Sequence, residues 1–165
     1  PVDPKFEAVD LGNLLQHLLA RWAGKIQQRN IQVSYTPEPC PPVLVDPRLI
    51  EQVFRNLIDN ALQAMPAGGT LSVRLRAVRR GAPGRVAEAQ VGDSGPGISE
   101  ANLRRIFDPY FTTKPGGTGL GLAICKRLVT VHRGAISAQS FPGVGTIFTV
   151  TLPAHESGPA SEVSR

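Results

Sequence analysis

The chain has 165 residues, a formal net charge of +5 and a hydrophobic content of 41%. This length predicts one domain with a substantial core, and the apolar runs are too short or too interrupted by charge to cross a bilayer. The modest positive charge includes no basic run with interleaved aromatic residues, so a solvated surface is favoured over nucleic-acid binding. Two distant cysteines without metal-ligand spacing disfavour a disulfide or a zinc site and favour a reduced compartment.

Helical spacing of apolar residues, preceded in most cases by a capping residue, predicts three main helices and a short one. Their predicted spans are 11–29, 47–65, 100–106 and 119–132. Alternation of apolar and polar residues predicts strands. Their predicted spans are 31–35, 43–45, 70–78, 86–91, 135–140 and 146–152, with an exposed turn at 79–85.

Consecutive strands joined by short turns are expected to form antiparallel pairs, with the helices segregated to one side. The sequence therefore predicts an α+β fold. It is a two-layer α/β sandwich, in which a mixed, mostly antiparallel sheet carries the three main helices on one face.

Asn56 and Asn60 lie four residues apart in the second main helix and so share one face, at the border of its apolar stripe. Carboxamides at the edge of a core need partners, and their oxygens are the hard ligands that Mg²⁺ prefers. The pair is a candidate metal site, with hydrogen bonding to backbone or water as the alternative.

Asp93 ends a predicted strand and begins a glycine turn. An ionised carboxylate only accepts hydrogen bonds, so at the floor of a pocket it would favour the adenine amine over the guanine carbonyl. A turn-forming Asp before glycine is the alternative.

A glycine-rich run from Gly116 to Gly121 leads into the last predicted helix. A glycine cluster of this kind is best explained by a backbone that approaches something closely. Free N–H groups and the positive end of a helix dipole bind anions, so the run predicts a phosphate site.

Five short motifs, in this order along the chain, resemble the nucleotide-binding boxes of sensor histidine kinases over about residues 10–153. They are Asn56-Leu57-Ile58-Asp59-Asn60-Ala61, Asp93-Ser94-Gly95-Pro96-Gly97-Ile98, Phe107-Asp108-Pro109-Tyr110-Phe111-Thr112-Thr113-Lys114, Gly117-Thr118-Gly119-Leu120-Gly121-Leu122 and Gly143-Val144-Gly145-Thr146. The Phe-Thr-Thr-Lys form is similar to that of the nitrogen-regulation type of sensor kinase.

The resemblance implies the Bergerat ATP-binding fold, shared with gyrase, MutL and the heat-shock chaperone ATPases, and it implies ATP and Mg²⁺ as cofactors. Asn60, with Asn56, would contact Mg²⁺ and phosphates, while Asp93 would bind the adenine N6. Residues 98–118 would form a mobile lid anchored by Phe107 and Phe111. The other ATP-binding positions that it implies are Gly95, Gly97, Ile98, Thr112, Thr113, Lys114, Gly117, Thr118, Gly119, Leu120, Gly121, Leu122 and Thr146.

Two positions bear on the reaction, and they make Asn56 and Lys114 the candidate catalytic residues. Hydrolytic relatives carry a Glu as general base where this chain has Asn56, which cannot accept a proton at neutral pH. Phosphoryl transfer to an imidazole, which needs no deprotonation, is therefore favoured over an independent ATPase. Many histidine kinases have a Lys where this chain has Gln63, so Lys114 is the candidate replacement cation.

None of the three histidines matches the family's phosphoacceptor. His17 is expected at the surface, His132 as a helix-end cap and His155 in a polar tail. The acceptor is therefore expected on dimerisation helices that this chain lacks. Residues 1–9 are then a linker remnant, 10–153 the ATP-binding catalytic domain and 154–165 a disordered tail.

The function implied is that of the catalytic domain of a two-component sensor histidine kinase, in the cytoplasm. Its expected partners are its own dimerisation domain, which carries the phosphoacceptor, and a response-regulator receiver domain. Nucleic-acid binding and membrane insertion are not expected. A non-catalytic nucleotide-sensing or docking module of the same fold is the alternative.

Overall fold

The computed structural model describes residues 3–80 and 84–155, without the side chain of Arg80. In chain order the elements are β1 (Glu7–Val9), α1 (Leu11–Gln28), β2 (Ile31–Pro37), β3 (Val43–Val45), α2 (Pro47–Gln63), β4 (Gly69–Arg80), β5 (Gly84–Asp93), α3 (Glu100–Leu103), α4 (Gly121–Val131), β6 (Ala135–Phe141) and β7 (Gly145–Pro153). The three main helices and the short one were all predicted, with ends that differ by a few residues.

Five strands form the main sheet in the order β2-β4-β5-β7-β6. Only the β2–β4 pair is parallel, and the other three pairs are antiparallel. The predicted mixed, mostly antiparallel sheet is therefore confirmed. Its ladder places Asp93, at the end of β5, opposite Thr146 in β7.

The prediction that consecutive strands pair was wrong for β2 and β3. Instead, β2 pairs with β4, and β3 pairs with β1 in a separate two-stranded sheet. Four prolines between residues 37 and 42 lack N–H donors and fix φ, so a tight hairpin cannot close there. The chain leaves the main sheet at this point and returns to it after α2.

The predicted turn at 79–85 is largely strand. Arg79 is paired with Arg85, and Arg80 with Gly84, in the antiparallel β4–β5 ladder. Backbone groups are satisfied by such a ladder whatever the side chains, so exposed arginines do not end it. Residues 81–83 lie outside the described part of the chain.

The hydrophobic core lies between the helices and one face of the main sheet, and α2 contributes most to it. Its buried apolar residues are Ile50, Val53, Phe54, Leu57, Ile58, Ala61 and Leu62. Each long N-terminal helix has its predicted cap: the side chain of Asp10 accepts from Asn13 N, and that of Asp46 accepts from Arg48 N. This core sets the rotation of α2, and with it the position of its two asparagines.

Both ends of the described chain are tied to the fold. β1 lies within the stretch interpreted as a linker remnant. Ala154 N donates to Arg85 O at 3.1 Å and His155 N donates to Pro42 O at 2.7 Å. The rest of the predicted tail, 156–165, lies outside the described residues. Across 3–80 and 84–155, the longest and most apolar helices still fall short of a membrane span.

Candidate nucleotide-binding site

Asn56 and Asn60 lie one turn apart on α2, half-buried at the border of its apolar face as predicted. Asn56 Nδ2 donates to the backbone oxygen of Gly121, the first residue of α4, at 3.4 Å. Asn60 Oδ1 accepts from Lys114 Nζ at 2.6 Å. Asn56 is therefore linked to the end of the glycine-rich run, and Asn60 to a lysine that precedes this run.

Asp93 lies at the other side of the same cavity, half-buried at the end of β5. Burial raises the pKa of its carboxyl group, against the N–H groups of Gly95 and Thr146 and the Lys114 charge, which lower it. Gly95 N donates to Asp93 Oδ1 at 2.9 Å. A carboxylate has about four acceptor positions, so Asp93 can still accept from a donor in the cavity beside these two N–H groups.

Thr146 is buried beside Asp93, and its hydroxyl group contacts that of Ser140. The hydroxyl groups of Ser140 and Thr146 are 2.9 Å apart, and Ser140 Oγ also accepts from Ile98 N at 2.6 Å. The close approach of β7 to this floor requires glycine at position 145, where φ is +151° and a Cβ would lie 2.0 Å from Asp93 O.

Phe107 and Phe111 attach the predicted lid, residues 98–118, in different ways. The Phe107 ring packs edge-on against Phe148 of the core, with centroids 6.2 Å apart. The Phe111 ring lines the cavity and carries the Arg105 guanidinium 4.6 Å from its centroid. Tyr110 N donates to Gly119 O at 2.9 Å, which joins this segment to the glycine-rich run that follows it.

The glycine-rich run continues into α4, which begins at Gly121 rather than at the predicted residue 119. Gly119 cannot be helical because its φ is +72°, and a Cβ there would lie 2.4 Å from Tyr110 C. Thr118 Oγ1 accepts from Leu120 N at 3.3 Å, but no side chain caps α4. Its first N–H groups therefore have no side-chain cap, and Gly121 and Leu122 line the cavity.

A cavity of about 650 Å³ joins these parts. Predicted site residues that line it are Asn56, Asn60, Asp93, Gly97, Ile98, Phe111, Thr112, Thr113, Lys114, Gly117, Thr118, Gly119, Gly121, Leu122 and Thr146. Gly95, Phe107 and Leu120 lie outside the lining. Gly95 hydrogen-bonds Asp93, Phe107 packs on the core, and Leu120 precedes α4.

Sequence reasoning did not single out eight other lining residues for nucleotide binding. They are Asp59, Gln63, Ala64, Pro66, Pro96, Ser99, Asn102 and Ile106. Asp59 and Gln63 each follow one of the candidate metal-ligand asparagines by three residues on α2, and this helical spacing was the available signal. Asn102 lines the cavity because of the path that the chain takes between residues 98 and 118. The sequence pattern does not predict that path.

Lys114 brings positive charge into this cavity. Burial lowers the pKa of its ammonium group, against the opposing effect of the Asp59 and Asp93 carboxylates. Asp59 also accepts hydrogen bonds from Lys25 Nζ, at 3.5 Å, and from Gln63 Nε2, at 2.7 Å. The site thus combines an acidic floor, an internal cation and a glycine turn.

A second cavity, of about 640 Å³, lies between α1 and β2. Its lining is aliphatic, aromatic and amide, with no charged side chain and none of the predicted site residues. It lacks the groups that a polyphosphate requires.

Comparison with known proteins agrees with this geometry. Residues 45–156 match the family described as histidine kinase-, DNA gyrase B-, and HSP90-like ATPase. The structure also superposes on the catalytic domain of histidine kinase ThkA, with a TM-score of 0.80, 30% identity, and coverage of 90% of this chain and 97% of that one. The chain belongs to this ATPase and kinase family.

Curated relatives include two sensor proteins. Sensor histidine kinase ZraS of Klebsiella oxytoca is 40% identical over 155 residues, which are 93% of this chain and 32% of that protein. C4-dicarboxylate transport sensor protein DctS of Rhodobacter capsulatus is 38% identical over 156 residues, which are 94% and 24%. The chain thus spans a third or less of these relatives.

Full-length ShkA, solved in complex with AMPPNP, superposes with a TM-score of 0.83 at 26% identity, covering 96% of this chain and 33% of that one. The finer resemblance to nitrogen-regulation sensor kinases stays a prediction, because these relatives carry other descriptions.

Proposed function

We propose that this chain is the ATP-binding catalytic domain of a sensor histidine kinase, which donates the γ-phosphoryl group of ATP to a histidine on a separate dimerisation segment. The observation that carries the proposal is the convergence of Asp93, Asn60, Lys114 and the Gly117–Gly121 turn on one cavity. ShkA, a structural relative, was solved with the ATP analogue AMPPNP, and ThkA with its response regulator TrrA, which supports a nucleotide and a receiver domain as ligands.

Asp93 and Thr146 are the proposed adenine contacts. The ionised Asp93 carboxylate accepts from the exocyclic amine, while Gly95 and Thr146 hold its orientation. Guanine presents a carbonyl at that position, so its oxygen would face a carboxylate oxygen of Asp93 without a proton between them. The floor therefore discriminates by chemistry rather than by size.

The α2 carboxamides and the start of α4 are the proposed triphosphate contacts. The donor set fits Mg²⁺, because Asn60 Oδ1 already accepts a cationic group, the Lys114 ammonium, at 2.6 Å. Mg²⁺, held by Asn60 and Asn56, would neutralise charge on the phosphates. Lys114 adds a mobile positive charge from the lid, and the uncapped N–H groups of α4 add fixed donors.

Transfer to imidazole, rather than hydrolysis, is the proposed reaction. A hydrolase needs a base to orient and deprotonate water, and the neutral Asn56 carboxamide, which donates to Gly121 O, does not supply one. A neutral imidazole attacks through its own lone pair. The domain then needs only to hold ATP in line, stabilise charge and exclude water.

The test mixes this chain with the separately produced phosphoacceptor helices of a related sensor kinase and γ-labelled ATP. We expect Mg·ATP to bind much more tightly than Mg·GTP, and we expect acid-labile, base-stable label on the acceptor histidine. ATP binding without any transfer would instead favour the docking-module alternative. Steady phosphate release by the domain alone would favour an ATPase.

Matched substitutions separate the site from general effects. Asn60→Asp places a negative charge beside the phosphates and should abolish binding, whereas the same change at exposed Asn13, in the first turn of α1, should not. Binding that survives Asn60→Asp would contradict the proposed position of the phosphates.

A further inference from the structure

Asp46 and His132 are buried and in contact with each other, and neither lines the cavity. Among the described residues, only four polar or charged side chains are buried, and these are two of them. Asp46 N donates to His132 Nε2 at 3.1 Å, and His132 Nδ1 lies 2.7 Å from Leu128 O. A carbonyl oxygen only accepts, so Nδ1 carries the proton and Nε2 is the acceptor.

This contact joins the two helices that hold the proposed phosphate site, at their distal ends. Asp46 is the residue that caps α2, and His132 is the residue that ends α4. Near the cavity, Asn56 in the middle of α2 donates to the backbone oxygen of Gly121, the first residue of α4. The two helices therefore run antiparallel, with one polar contact at each end of their shared length.

The spacing of the two contacts matches. Asn56 follows Asp46 by ten residues and His132 follows Gly121 by eleven, so both helical intervals span about 15–17 Å. Sliding α4 along α2 by a single residue would move it about 1.5 Å, more than a hydrogen bond tolerates. The distal contact therefore acts with the Asn56–Gly121 contact, and with Cys125 Sγ on Val53 O between them, to fix the axial register of α4 on α2.

The segment that precedes α1 is built into the same contact. Lys5 N donates to Asp46 Oδ2 at 2.9 Å, and the Phe6 ring stands edge-on to the His132 imidazole, with centroids 5.3 Å apart. Directly after Phe6, β1 pairs with β3, which leads into Asp46. A displacement of this segment must therefore disturb Asp46, His132 or both.

We propose that Asp46 and His132 are positioning residues, whose contact sets the distance between the glycine turn at the start of α4 and the asparagines of α2. Lys5 and Phe6 control this contact, so the chain before β1 acts on phosphate affinity about 15 Å away. The inference rests on the proposed function and names a regulation of that same site. Its distinguishing consequence is that phosphate binding changes while adenine binding does not.

Two substitutions at His132 test it. His132→Phe keeps an aromatic ring but removes the acceptor for Asp46 N, whereas the carboxamide oxygen of His132→Gln can reach the Nε2 position and accept. We expect His132→Phe to weaken Mg·ATP binding at least about fivefold, which is the lower range of coupling between sites. The His132→Gln variant should keep most of the wild-type affinity. Adenosine, which lacks phosphates, should bind both variants as it binds the wild-type domain.

Ile26→Ala controls for lost stability, because Ile26 is buried on α1 and not on α2 or α4. It should lower the unfolding midpoint without changing ATP affinity. Equal ATP affinity in the wild type and His132→Phe, or equal losses for ATP and adenosine, would overturn the inference. If the wild-type domain fails to bind Mg·ATP at all, it is the proposed function that fails.

Phe6→Ala tests the part played by the N-terminal segment. We expect weaker Mg·ATP binding with unchanged adenosine binding, and ¹⁵N NMR of the wild-type imidazole should show Nδ1 protonated and Nε2 not. A Phe6→Ala variant with wild-type ATP affinity would overturn the role of this segment, and an Nε2-protonated ring would overturn the contact itself.

Discussion

Lys114 Nζ donates to Asn60 Oδ1 at 2.6 Å, which joins the lid to the helix that carries the candidate metal ligands. The ammonium group lies on the oxygen that a metal ion would use, with the Asp59 and Asp93 carboxylates near enough to favour its charge. A cation that binds Asn60 Oδ1 would displace Lys114, and under the proposed function the ATP phosphates would be the anions that receive it in the same cavity. We therefore expect metal binding and lid rearrangement to be linked.

Lys114→Gln should weaken Mg·ATP binding about tenfold or more, because a charge-assisted hydrogen bond contributes roughly 1.5–3 kcal/mol. The loss should be smaller for adenosine, which offers no phosphate. Calorimetric titration of both ligands measures the difference. Arg55→Gln, on the exposed side of α2, removes the same charge away from the cavity and should leave both affinities unchanged.

Asp93→Asn should abolish ATP binding without unfolding the domain. The replacement presents an N–H toward the adenine amine, so donor faces donor, while its carbonyl oxygen still accepts from Gly95 N. A variant that binds ATP and GTP equally well, or as tightly as the wild type, would contradict the assignment of Asp93 to adenine.

The same substitution has a predicted effect on stability that depends on pH. Burial raises the pKa of Asp93 above its ordinary 3.8, so folding opposes its ionisation. Its favourable contribution is complete below about pH 4 and is lost as the pH rises through the raised pKa. Asp93→Asn should therefore be at least as stable as the wild type at pH 7, with a difference that shrinks toward pH 4. Urea unfolding across this range measures it.

Gly121→Ala separates folding from phosphate binding. A Cβ at this first residue of α4 would meet no other atom within 4 Å, so the domain should fold, with a gain of up to about 0.5–1 kcal/mol from reduced backbone entropy. If the phosphates lie against the start of α4, the added methyl group should weaken ATP binding. Gly24→Ala in α1, where a Cβ has equal space, is the matched control. It should raise stability and leave ATP affinity unchanged.

The parts of the site that the sequence predicted are those fixed by short-range geometry. The spacing of Asn56 and Asn60 places both on one helix face, because α2 has a strong apolar period. Asp93 and Thr146 were predicted separately, and only the antiparallel β5–β7 register brings them opposite each other. The resemblance to known boxes supplied that long-range information, which periodicity alone does not contain.

The features that sequence reasoning missed depend on contacts between distant segments. β1 is only three residues long, and it forms a strand because Val43–Val45 offers it a partner. His132 was expected to cap carbonyls, and it does donate to Leu128 O. No local sequence feature indicates that Asp46 N donates to its other ring nitrogen. The parallel β2–β4 pair likewise depends on how α2 returns the chain to the sheet.

Cys125 reports on the α2–α4 contact through its reactivity. Burial raises the pKa of its thiol to about 12, and Sγ lies 3.6 Å from Val53 O across the helix pair. Native protein treated with iodoacetamide at pH 8 should therefore be modified at half-buried Cys40 well before Cys125. Modification of Cys125 requires α4 to separate from α2, so Mg·ATP at a hundred times its Kd should slow it by up to about a hundredfold. Mass spectrometry at each cysteine follows both rates, and a Cys125 rate that ATP leaves unchanged would place the nucleotide away from these helices.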